Sequence, residues 1–453
     1  MITIKTKCGK ITGLDNENGN QFLGITYAKA QRFEYAKMIN NWEGTLEATH
    51  NGPSCLQTRT YFEHLENPAR LFYYREFRQG INFTYDEDCL NCNIFTPKEP
   101  GKYPVIIYFH GGSFNSGANC EDAFDGQGFA KRGIVTVFVN YRVGIFGYMT
   151  HEEIEKKYGR DGNFGLDDQL TAIKWVKENI SDYYGDPDNI TLMGQSAGAI
   201  AIQYLCLNQS CKGLFKNVVM MSGGGKFPDF ALPRKASDTR SYWLEFMEAC
   251  GVKSFEELKA LDSKKIFEVM EDFKVCHKGN MYNTMPVVDG HLICTSVKQL
   301  IKNPLKINYM LGYTNSDMYA PLMALINHKY VKQNSGYLYY FDVNPKGDKM
   351  RAFHSADLRF MFNRLKTSWR PFDDKDQEIA DLLQDYVANF ARSGNPNGQN
   401  KEGQELPVWK KTGRKALHLK LRKDSQPVNS QIKMTGPRYL RLIWNVLTQL
   451  KLV

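Results

Sequence analysis

The apolar residues of this chain gather into short unbroken runs separated by longer stretches of helical period, and that alternation sets the fold class before any motif is considered. Runs near residues 104–109, 134–140, 189–193, 216–221, 307–313 and 337–342 are too short for helices and apolar on successive positions, as strands covered on both faces must be. Residues 166–180, 197–207 and 375–392 instead predict helices. Strands alternating with helices imply an α/β class, with a mostly parallel central sheet and helices on both faces. Met1–Lys5 alternates like a half-buried strand, and Lys253–Glu271 mixes Lys, Glu and apolar residues like an amphipathic helix. The polar stretches Asn344–Asp348 and Ser393–Gly403 are short enough to be loops.

The run Asn189–Met193 leads directly into Gly194-Gln195-Ser196-Ala197-Gly198. A serine there sits on a strained strand-to-helix turn, its hydroxyl exposed above the sheet, while the flanking glycines permit the tight turn and close packing. Upstream, Tyr103–Phe109 runs into His110-Gly111-Gly112-Ser113-Phe114, a small-residue loop whose N–H groups can turn toward a developing oxyanion. The donors assigned are the N–H groups of Gly112, Ser113 and Ala197. A serine nucleophile on such a sheet is followed in the chain by an acid and then a histidine. His354, in a loop entering an apolar helical segment, has a context that His277, His291, His328 and His418 lack. Asp317 lies at the polar end of the strand Ile307–Thr314 and is assigned as the acid that fixes the imidazole tautomer. Asp357, three residues beyond His354, is read as helix-capping or solvated.

With these residues in place the chain resembles the type-B carboxylesterases, the group that also contains cholinesterases and the catalytically silent neuroligins. The likeness is carried by Glu87–Asn93, Asn140–Gly147, Gly162–Gln169, Gly185-Asp186-Pro187, Val287–Gly290 and Asn389–Asn397, in the family's order and over nearly the whole chain. It implies the α/β-hydrolase fold, Ser196, Asp317 and His354 as triad, and structural charged pairs Arg32 with Glu87 and Arg142 with Asp168. It also places Cys55 and Cys89 at positions similar to those of a family disulfide, a bond the sequence leaves open. Residues 1–453 are accordingly expected to form one domain, with helical insertions at roughly 225–285 and a shortened one at 318–335. Neuroligin-like members lack the nucleophile, which sets an adhesion role aside.

Three departures from the family pattern bear on substrate. Gln195 replaces the commoner glutamate, which removes a negative charge beside the nucleophile and disfavours a cationic alcohol. Asp317 replaces the commoner glutamate, so its backbone must approach His354 more closely. Only 37 residues separate Asp317 from His354, far fewer than usual, and a more open alcohol side of the cleft is expected.

Composition narrows the partners rather than the chemistry. The net charge of +9 is spread along the chain, giving no basic run for nucleic acid, and no apolar run is long enough to span a bilayer. The strand pattern begins at Met1, so a cytoplasmic enzyme is expected, or a secreted one if a leader was removed. The ten cysteines and nine histidines form no zinc spacing; Cys89-x-x-Cys92 has no second pair, and Cys206 and Cys211 are read as buried thiols. Sequence alone therefore predicts hydrolysis of small-molecule esters through an acyl-enzyme, without metal or organic cofactor, by a monomer or small homo-oligomer. A lipase or an amidase on the same fold is the alternative.

Overall fold

All six expected apolar runs form strands, each within a few residues of its expected bounds. The computed structural model describes residues 1–224, 233–276, 283–296, 300, 302–317, 336–413 and 417–431. Its main sheet has 13 strands. In chain order these are β1 Ile2–Thr6, β2 Gly9–Asn16, β3 Gly19–Thr26, β4 Thr45–Glu47, β5 Asn91–Thr96, β6 Tyr103–Phe109 and β7 Val135–Val139. They continue with β8 Gly185–Gln195, β9 Asn217–Met221, β10 Asn308–Thr314, β11 Tyr337–Phe341, β12 Leu417–Arg422 and β13 Ser425–Gln431. The spatial order is β1-β2-β3-β5-β7-β6-β8-β9-β10-β11-β12-β13, with β4 beside β2. From β7 to β12 all neighbours are parallel. Antiparallel strands extend both edges.

The helices that matter for the site are α1 Pro68–Phe77, α2 Phe164–Asn179, α3 Ala197–Leu207, α4 Arg240–Ala249, α5 Phe255–Ala260, α6 Ser263–Cys276, α7 Leu358–Met361 and α8 Asp374–Ser393. Side chains alternate across a strand, so β6 feeds two cores. Val105, Ile107 and Phe109 pack with Leu166 and Trp175 of α2 and Ala201 of α3 on one face. Ile106 and Tyr108 pack with Leu383, Tyr386 and Phe390 of α8 on the other. Helices thus cover both faces, as the strand–helix alternation implies. α8 shows why its sequence starts and stops where it does. Asp373 accepts from the N–H groups of Lys375 and Asp376, Asp376 reaches back to the Asp373 N–H, and Gly394 ends the helix at φ 74°.

Of the expected insertion at 225–285, residues 240–276 carry α4, α5 and α6. Trp243, Phe246, Phe267 and Phe273 pack there against Phe33 and Phe146. The shortened insertion at 318–335 lies outside the described residues.

Both charged pairs are structural. Arg142 grips the fully buried Asp168 through Nε at 2.8 Å and Nη2 at 2.7 Å, and donates to the Glu34 carbonyl at 2.7 Å. Arg32 bonds Glu87 at 2.9 Å and the Lys259 carbonyl at 3.0 Å, tying α5 to the sheet domain. Cys55 and Cys89 are joined in a disulfide, whereas Cys206 and Cys211 are buried thiols. Among the described residues no helix is long and apolar enough to cross a membrane.

Candidate active site

The chain leaves β6 toward β7 on one side and returns through β8 on the other, so β6 and β8 neighbour each other across a reversal in strand order. Loops leaving the carboxyl ends of such a pair splay apart and open a crevice. Phe109 and Gly194 lie opposite one another in register, so His110–Phe114 and Ser196 emerge side by side.

Ser196 adopts φ 54° and ψ −118°, a conformation that costs a residue bearing a side chain on the order of 1–3 kcal/mol. Two backbone hydrogen bonds hold it there, from its N–H to the Met221 carbonyl at 2.9 Å and from the Ile200 N–H to its own carbonyl at 3.0 Å. The flanking glycines are required sterically. A Cβ on Gly198 would lie 2.1 Å from the Phe109 carbonyl oxygen, and one on Gly194 would lie 2.7 Å from the Gly198 carbonyl carbon.

In the neighbouring loop Gly112 has φ +114°, and a Cβ there would meet the Ser116 carbonyl oxygen at 2.0 Å. Among the described residues nothing accepts a hydrogen bond from the N–H groups of Gly112, Ser113 or Ala197. His110 braces the loop from beneath. It is buried, stacks on Tyr141 at 4.3 Å and bonds the Gly111 carbonyl through Nδ1 at 2.8 Å. Burial pushes its pKa down to about 4, so it stays neutral. Arg59 holds the other end, its Nη2 donating to Ser116 Oγ at 2.7 Å, while the Ser116 N–H donates to the Gly112 carbonyl at 3.0 Å.

Asp317 follows β10, and His354 lies in the connection after β11. Their strands are paired up to Thr314 and Phe341. Beyond that pairing the Ser316 N–H donates to the Ala352 carbonyl at 2.9 Å, giving the close backbone approach that the short aspartate demands. Asp317 Oδ2 then meets His354 Nδ1 at 2.8 Å. Burial lowers the imidazole pKa, but the hydrogen bond and charge of Asp317, with the charge of Asp357, outweigh it and leave the pKa raised.

The six residues assigned from sequence, Ser196, Asp317, His354, Gly112, Ser113 and Ala197, all line one cavity of about 750 Å³. Within it the acid and the histidine are bonded. Ser196 Oγ and His354 Nε2 have no hydrogen-bond partner among the described residues. The segment behind the expectation of an open alcohol side, 318–335, is not among the described residues.

The chain is matched over residues 1–335 and 318–439 by the model of the carboxylesterase family. The chain belongs to that family. Para-nitrobenzyl esterase of Bacillus subtilis (strain 168) is 26% identical over 484 residues, spanning 92% of this chain and 94% of its own. Carboxylesterase 5A of Canis lupus familiaris is 26% identical over 488 residues, spanning 89% of this chain and 81% of its own. A solved thermophilic PNB esterase superposes with a TM-score of 0.81 over 96% of this chain and 99% of its own, at 24% identity. This carboxylesterase therefore has the α/β-hydrolase fold and is a carboxylic ester hydrolase.

Three roles in the carboxylesterase site escape the sequence reading. Asp357 stands at the N-cap position of α7, as a capping residue would, but it is not solvated and its side chain caps no N–H. It is fully buried and accepts from the Tyr339 hydroxyl at 2.7 Å. Spacing from His354 could not reveal this, because its partner comes from β11. Gln195 does more than remove a charge. Its amide donates to the His354 carbonyl at 3.1 Å and to Ser355 Oγ at 3.3 Å, fastening the serine turn to the histidine loop with a donor that an ionised glutamate lacks. Arg59 carried no local signal, since it acts through Ser116 across the pocket wall. Among the described residues no group of three or more His, Cys, Asp or Glu could hold a metal ion.

Proposed function

We propose that this carboxylesterase works through a Ser196–His354–Asp317 relay. His354 Nε2 takes the hydroxyl proton as Ser196 Oγ attacks the ester carbonyl carbon, and Asp317 stabilises the imidazolium without itself taking the proton. The oxyanion collects hydrogen bonds from the N–H groups of Gly112, Ser113 and Ala197. Collapse of the tetrahedral intermediate transfers the proton from His354 to the leaving alcohol and leaves the acyl group on Ser196. Water activated by His354 then releases the acid. The developing charge falls on backbone dipoles, so the route itself calls for neither metal nor organic cofactor.

The observation that carries this reading is the 2.8 Å bond from Asp317 to His354 Nδ1, which leaves Nε2 as the proton acceptor in the cavity that Ser196 lines. Rapid mixing with 4-nitrophenyl butyrate should give a burst of nitrophenol equal to the enzyme concentration, with an acyl group on the Ser196 peptide by mass spectrometry. Ser196→Ala should remove burst and adduct and slow turnover by at least ~10⁴-fold. A burst surviving in that variant contradicts the assignment.

A further inference from the structure

Among the described residues, four cationic side chains, Arg59, Arg70, Arg78 and Lys274, line the cavity that holds Ser196. Carboxylates of the same wall answer two of them: Arg78 is bound by Glu63, and Arg59 faces Glu121 at 3.4 Å. Asp317 is engaged with His354.

Arg70, in the first turn of α1, has no ion pair or side-chain hydrogen bond among the described residues. Lys274, in the last turn of α6, donates to Thr58 Oγ1 at 3.2 Å. Its carboxylate neighbour, Glu271, stands off at 3.9 Å and is already bonded to His64 Nε2 at 2.9 Å. Partial desolvation at the cavity edge and the charge of Arg70 both push the Lys274 ammonium toward losing its proton, while the charge of Glu271 opposes them. Two cations from different helices thus repel one another beside the cavity, and among the described residues Glu271 is the one carboxylate paired with either of them. Tyr73, Phe77, Phe124, Ile200 and Leu358 give the same cavity an apolar lining.

We propose that Arg70 and Lys274 form an anion-recognising rim, and that the preferred substrates are esters whose acyl part ends in a carboxylate remote from the scissile bond. The inference rests on the ester-hydrolase reading above and names the substrate class for it. Such a substrate lays its stem along the apolar wall, presents its carbonyl to Ser196 and meets the two cations with its free carboxylate. The attraction acts across a partly solvated cavity, so salt weakens it; the screening length is about 10 Å at 0.1 M.

The test compares the mono-4-nitrophenyl ester of suberic acid with the same compound capped as its methyl ester. At low ionic strength the wild-type kcat/KM ratio, acid over capped, should be about ten, a difference of about 1.4 kcal/mol, and should fall toward one as sodium chloride is added. Both side chains are exposed, so their replacement leaves the core in place. Arg70→Gln combined with Lys274→Gln should bring the ratio to about one, and Arg70→Lys combined with Lys274→Arg should keep it near ten. A wild-type ratio of one or less at low salt overturns the proposal, as does a ratio unmoved by the double neutralisation. If wild type hydrolyses neither ester, or Ser196→Ala hydrolyses both undiminished, the esterase reading itself falls.

Discussion

His354 is set by a contest between burial, which disfavours its charge, and two carboxylates, which favour it; the carboxylates win. Its pKa therefore lies above the ordinary imidazole value of ~6.5, and only the neutral ring can accept the Ser196 proton. The profile of kcat/KM against pH should rise through an inflection above that value and then level off. Asp317→Asn should move the inflection down and cut kcat by about 10⁴-fold, because an amide both removes the charge and favours the wrong tautomer. An unchanged inflection in that variant argues against the pair. Ser196 was legible because its requirement is local: two glycines and a serine satisfy the turn by steric exclusion alone. Asp317 and His354 were legible from chain order and from the strand that ends just before the acid. Asp357 was not, since its environment is made by Tyr339 and its carboxyl, pushed up to about 6 chiefly by burial, shows its character only once packed.

Among the elements, α1 and α7 are bound to one another by charge rather than by apolar packing alone. Arg359 of α7 is almost fully buried, its Nε bonding Glu76 of α1 at 3.0 Å and its Nη1 bonding Asp122 at 2.9 Å. This fastens the wall carrying Tyr73 and Phe77 to the segment that follows His354. Arg359→Met should leave the buried Glu76 with only Arg370, 3.6 Å away, while Asp122 keeps Arg364 at 2.6 Å, at a cost of about 3 kcal/mol that lowers the melting temperature in calorimetry by several degrees. A melting temperature within a degree of wild type contradicts that role. The central parallel strands were readable because burial on both faces forces continuous apolar runs. The antiparallel edges were only partly so. The alternation of β1 was visible, but Ser425–Gln431 holds a single apolar aliphatic residue, Val428, and becomes β13 only because β12 offers it an edge.

Across the whole molecule, the reversal of strand order between β6 and β8 brings two loops together at one crevice, and the segments after β10 and β11 add Asp317 and His354 to it. Sequence pattern was enough to place the four contributing stretches at strand ends. It was not enough to show the charge on the cavity wall, which α1 and α6 deliver from opposite sides of the nucleophile in the chain. The central claim is that Ser196, Asp317 and His354 act as one unit, and groups that act as a unit lose their effect together. The direct test is kcat for a 4-nitrophenyl ester in Ser196→Ala, His354→Ala and the double variant. Each single change should slow turnover by at least ~10⁴-fold, and the double variant should be no slower than the worse single one. Losses that multiply in the double variant, or a single variant that keeps wild-type turnover, contradict the account.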